Sequence, residues 1–136
     1  MKKLLCVLLV AIFSFSLAIQ VLAADSLIMP RYNNVDYVNT EFNISDSGKA
    51  IVRVQYMGIE GETTGATITT KIEKKFLWWW NDVDDASWTD QATGYNFSTT
   101  HSVDLSSGGT YRCTYEYSIY GTGATDEISG EIEREY

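Results

Sequence analysis

GTYRCTYEYSIY, residues 109–120, alternates in a way that only a strand explains. Successive side chains on a β-strand point to opposite faces, so Tyr111, Cys113, Tyr115, Tyr117 and Ile119 share one side. Arg112, Thr114, Glu116 and Ser118 share the other. A helix of the same composition would spread these aromatics around its whole circumference. One apolar and one polar face describe a sheet that packs on a core and wets its back, the usual condition of an antiparallel sheet. Outward from this stretch the same period recurs over 38–44, 49–57, 66–78, 94–105 and 126–135, with a further short run at 83–88. Clusters of Gly, Ser, Asn and Asp separate the runs. Ala50, Val52, Val54 and Tyr56 line one face, as do Phe97, Thr99, His101 and Val103, while Ile128 and Ile132 repeat at pleat spacing in the last run.

No helical period of any length follows the amino-terminal leader, and Thr, Tyr, Val and Ile are frequent. The expected fold is all-β, an antiparallel sandwich of about seven strands closed over one core. Val54, Tyr111, Cys113, Tyr115 and Trp88 are expected to build that core.

The chain opens MKKLLCVLLVAIFSFSLAIQVLAAD, a basic head, an apolar run and an exit through the small residues Ala23 and Ala24. This is the layout of a secretory signal peptide, expected over 1–24. A short leading segment, 25–34, contains Pro30 and is expected to be flexible, and the sandwich domain occupies 35–136. Cleavage removes Lys2 and Lys3 and takes the net charge from −8 down by two, to −10. Such a surface repels phosphate backbones and anionic lipid, so nucleic acid is excluded as a partner, and no membrane partner is expected after cleavage. Cleavage also removes Cys6 and leaves Cys113 as the remaining cysteine, so the mature chain has no intrachain disulfide. A small exported domain without disulfides fits a Gram-positive bacterium better than a eukaryotic secretory route.

Within SSGGTYRC, residues 106–113, Gly109, Tyr111 and Cys113 have the spacing of the sixth-strand signature of immunoglobulin-like domains, which the chain therefore resembles. The resemblance implies a tyrosine corner at Tyr111, its hydroxyl bonding back to the preceding backbone. Two positions depart from the pattern. Ser107 stands where the family has an acid, and Val54 stands where the second-strand cysteine would face Cys113. The mature chain also resembles small exported β-sandwich proteins of Firmicutes. The shared features are Lys74-Lys75, Trp80, Ser87-Trp88-Thr89-Asp90, the stretch 108–112 and the turn 120–123. That resemblance implies fold and export and supplies no site.

The most distinctive stretch is KKFLWWWNDVDDASW, residues 74–88. If the strand ran on through it, Phe76, Trp78 and Trp80 would face one way and Leu77 and Trp79 the other. Either Trp78 or Trp80 is then the central core aromatic, with Trp88 packing across the hairpin, or the indoles form a platform for sugar rings. In the second reading Trp78, Trp79 and Trp80 stack the ligand while Asn81, Asp82 and Asp84 bond its hydroxyls. Asp82, Asp84, Asp85 and Asp90 form a further candidate, for calcium, but lack the glycine and distant glutamate of an EF-hand loop, and a solvated acidic hairpin accounts for them. No cofactor is expected. His101 is the only histidine and falls on an inward face, which removes the raw material of zinc and cysteine–histidine chemistry.

The expected function is that of an exported, noncatalytic binding module, engaging a cell-wall or environmental glycan, or a surface protein, through the aromatic hairpin. A structural or matrix protein that self-associates by strand edges is the alternative. A glycan-acting enzyme is the third reading, since two carboxylates distant in sequence can meet in space.

Overall fold

A computed structural model of the chain describes residues 32–136. The expected signal peptide, with Cys6, and residues 25–31 of the leading segment lie outside the described residues. The described part is one unit of seven strands: β1 Val35–Ile44, β2 Lys49–Gly58, β3 Thr63–Phe76, β4 Trp79–Thr93, β5 Asn96–Asp104, β6 Thr110–Gly121 and β7 Asp126–Glu135. All pairings are antiparallel, in a three-stranded sheet ordered β1-β2-β5 and a four-stranded sheet ordered β4-β3-β6-β7. The sandwich is of the immunoglobulin-like kind. In the constant-type arrangement the fourth strand joins the first, second and fifth. Here Phe76 pairs with Trp79 and leaves only Leu77 and Trp78 between the strands, so the tight turn keeps β4 on the edge of β3.

The alternation in 109–120 is realised on β6. Tyr111, Cys113, Tyr117 and Ile119 are buried and Tyr115 is half-buried against the same core. Phe42, Val52, Val54 and Tyr56 meet them from the opposing sheet, with Ile68 and Ile72 from β3. Three tyrosines seat an apolar ring inside and carry the hydroxyl to a backbone acceptor. Tyr117 reaches across to β1, donating to the carbonyl of Asn39 at 2.9 Å, and Tyr56 donates to Gly94 at 2.8 Å. Tyr111 donates to the carbonyl of Ser107, which is the corner implied by the sixth-strand signature. Burial pushes the Cys113 thiol up to about 12, so it stays protonated and inert at neutral pH. Gly130 pairs with Tyr115, and a β-carbon there would stand 2.4 Å from the tyrosine hydroxyl; the missing side chain lets the ring lie across β7.

Several boundaries differ from the sequence reading. The run 83–88 is the interior of a longer β4, and the run 66–78 ends at Phe76, because the turn intervenes before the tryptophans. The sandwich also begins earlier than residue 35. The backbone N–H groups of Asn33 and Asn34 donate to the Asp126 carboxylate at 2.8 and 2.7 Å, and the Asn34 amide donates to Ala124 at 2.7 Å. Asn34 is fully buried, so Asn33 and Asn34 clasp the β6–β7 turn instead of belonging to a flexible leader. At the sides of the sandwich β1 lies near β7 and β4 near β5, each remaining an edge strand of its own sheet. At the second seam the rings of Trp88 and His101 stack at 4.9 Å and 8°, and His101 Nε2 stands 2.7 Å from Asp90 Oδ2.

Candidate functional site

The three consecutive tryptophans go to three different environments because a hairpin turn falls among them. Leu77 occupies the first turn position with φ at +57°, in the left-handed region. That conformation is ordinarily left to Gly, Asn or Asp, since a leucine β-carbon collides with its own backbone there. Around it Phe76, Leu77, Trp78 and Trp79 are 54%, 63%, 77% and 43% exposed, a contiguous apolar tip. Elsewhere Tyr37 and Met57 form an exposed cross-strand pair between β1 and β2. Trp78 packs edge-on against Trp79 at 4.9 Å and 83°, and Phe76 covers Trp79 at 5.7 Å and 39°. The tip is therefore a convex knob and not a flat floor.

Trp80, paired with Lys75, turns to the outer face of the four-stranded sheet. The Arg112 guanidinium lies 4.4 Å above its ring and the Lys75 ammonium 5.5 Å away. Neither Trp78 nor Trp80 is the central core aromatic; that place is taken by Tyr111, Tyr117 and Phe42, while Trp88 is half-buried at the β4–β5 seam. Beneath Trp80 a row of charges crosses all four strands. Lys71 bridges Asp82 at 3.0 Å and Glu73 at 3.2 Å, and Arg112 bridges Glu73 at 2.7 Å and Glu131 at 3.0 Å. Burial alone would push the Glu73 carboxyl up, but hydrogen bonds from Arg112 and Lys71 outweigh it and hold the group below its ordinary range.

A cleft of about 410 Å³ opens between the base of this hairpin and the β5–β6 loop. Its size is that of a small-ligand site. Phe76, Val83, Leu105 and Tyr111 supply apolar wall, and Asn81, Asp82, Asp84, Asp104, Lys74 and Lys75 supply polar groups. The structure thus gathers Asn81, Asp82 and Asp84 at one opening and places Trp78, Trp79 and Trp80 outside its lining. Phe76, which packs on Trp79, joins the tip to the cleft wall. Lys74 is held in place by a bond to Ser107 and by the ring of Tyr111, 5.3 Å from its ammonium. Asp82 and Asp104 are ion-paired, with Lys71 and with Lys49 at 3.3 Å, and the Lys75 ammonium lies against the Trp80 ring, which leaves Asp84 and Asn81 as the groups free to meet a ligand.

Sequence reading had no access to Asp104, Leu105 and Ser106 as neighbours of Asp84, because the register of β5 and its following loop brings them there. The candidate calcium group does not assemble. Asp82 faces Lys71, Asp90 faces His101, and Asp85 sits with φ at +57° in the bulge where β4 departs from its pairing with β3. Among the described residues no three acidic, histidine or cysteine side chains converge as metal ligands.

Comparison with known proteins finds no matching family model, no matching curated sequence and no matching solved structure.

Proposed function

We propose that the chain is an exported, noncatalytic binding module that engages a neutral glycan of a cell wall or of the environment at the base of its aromatic hairpin. The observation that carries this reading is the cleft in which Asn81 and Asp84 stand beside the rings of Phe76 and Tyr111. Sugar hydroxyls both donate and accept. A carboxylate and a carboxamide set against an apolar wall serve both needs without asking the ligand for a net charge. Export rests on the leader, and the resemblance to small exported Firmicutes proteins rests on the quoted motifs alone.

Retention on purified cell walls and on immobilised neutral polysaccharides tests the reading. Asn81→Ala and Asp84→Ala each remove one hydrogen-bonding group worth about 1.5 kcal/mol to the ligand, so each weakens retention roughly tenfold. Both side chains are exposed, and thermal stability stays that of the parent. Retention unaffected by either substitution removes the cleft from the account.

A further inference from the structure

The hairpin carries a gradient of polarity along its axis, and its outermost residues lie beyond the glycan cleft. At the end are the turn residues Leu77 and Trp78 and the pair Phe76–Trp79, all exposed and apolar. The next two rungs are Lys75–Trp80 and Lys74–Asn81, which combine cations, an indole and a carboxamide. Carboxylates begin only at the third rung, Glu73–Asp82. The last partner of β3 on β6 is Lys74 with Tyr111, so Lys75, Phe76 and the turn project beyond the neighbouring strand.

We propose that this tip inserts into the interface of a zwitterionic lipid bilayer. With about 3.4 Å per residue along a strand, the apolar end and the two rungs behind it span about 10 Å, the depth to which interfacial segments bury their apolar part. Trp and Lys are the side chains that favour the headgroup level behind such a wedge, the indole through its mixed character and the ammonium by reaching phosphate oxygens. A glycan platform needs coplanar open ring faces, whereas Trp78 and Trp79 stand at 83° and Trp79 is covered by Phe76. A convex knob of this kind needs a soft apolar phase to enter. The strain at Leu77 fits, since a non-glycine residue held in the left-handed region is kept where its side chain is used. The acidic surface repels anionic headgroups and leaves neutral ones accessible, so the expectation of no membrane partner is narrowed to anionic membranes.

The test separates this inference from the glycan reading, because its substitution falls on Trp78, outside the cleft lining, and not on Asn81 or Asp84. Residues 32–136 hold every strand and the entire described core, so this domain is the material for the test. It is mixed with phosphatidylcholine vesicles, sedimented, and followed by tryptophan emission with lipids brominated along the acyl chain. The expected result is co-sedimentation, a blue shift and quenching by bromines near the headgroup end of the chain. Trp78→Ser lowers the partition coefficient at least about tenfold, the effect of withholding one large apolar side chain from burial. Quenching in the unsubstituted domain needs no variant and stands even if Trp78→Ser folds poorly. Absence of binding to the vesicles, binding that Trp78→Ser leaves intact, or binding without acyl-chain quenching each overturns the proposal. Retention on cell walls without vesicle binding would leave the cleft reading standing and overturn this one.

Discussion

Leu77 sits in a backbone conformation that costs a β-carbon-bearing residue about 1–2 kcal/mol, at the end of a hairpin that a glycine would close without strain. Glycine gives back about 0.5–1 kcal/mol through the greater freedom of the unfolded chain, so the two terms nearly offset. Leu77→Gly is therefore expected to leave stability unchanged or to raise it by up to about 1 kcal/mol, read as the urea midpoint. The same substitution removes a 63% exposed apolar side chain from the tip and weakens whatever the tip engages. A clear loss of stability would show that Leu77 is packed and that the tip is part of the fold. The contrast with Thr70 is instructive, because strain and unmet polarity are different costs. Thr70 faces inward on β3, and its buried hydroxyl has no hydrogen-bond partner, a local cost with no surface role.

At the scale of the element, the outer face of the four-stranded sheet depends on Glu73, which joins Lys71 on its own strand to Arg112 on the next. Its folded value lies below the ordinary 4.5, so its contribution is fully present above that value and is lost as the pH falls through the lower folded one. Glu73→Gln is expected to lower stability by about 2 kcal/mol at neutral pH, with a difference from the parent that shrinks as the pH falls through the lowered folded value of Glu73. Urea unfolding of both proteins at neutral and acidic pH measures this, and a difference that persists unchanged in acid contradicts the ion-pair account.

Much of this element-level structure was open to sequence reading, and for physical reasons some of it was not. Period-two alternation marks which face of β6 is buried, and Tyr111 two residues before Cys113 marks the corner whose bond to Ser107 the structure contains. The turn inside FLWWWN was hidden, because Leu77 and Trp78 carry none of the Gly, Asn or Asp chemistry that announces a two-residue turn. Once the strand is broken there, alternation no longer carries across it, and assigning Trp78 and Trp80 to one face fails. The bulge around Asp85 hides in the same way within an acidic run. Asn81, Asp82 and Asp84 were recognisable as neighbours because they are close in sequence. Their companions Asp104 and Leu105 arrive through the pairing of β2 with β5, which no local pattern encodes.

For the whole molecule, β1, β5, β4 and β7 are the edge strands of the two sheets, with β1 near β7 and β4 near β5. The β4–β5 side carries the Trp88–His101 stack and its Asp90 contact, and β7 carries Glu127, Glu131, Glu133 and Glu135, charges that discourage pairing with another strand. The most exposed apolar side chains, Leu77 and Trp78, sit at the end of the hairpin that projects past β6, with the polar cleft at its base. Both proposed contacts, glycan in the cleft and lipid at the tip, depend on the WWW stretch being a hairpin end and not a core strand. Acrylamide quenching of the tryptophan emission of the folded domain tests this most directly, with Trp78→Phe as the comparison. The account predicts a red-shifted, strongly quenched component that weakens in Trp78→Phe, the remainder coming from the exposed Trp79, beside a bluer and protected component from Trp88. Uniformly blue emission that acrylamide hardly touches would place the tryptophans inside the sandwich and contradict the account.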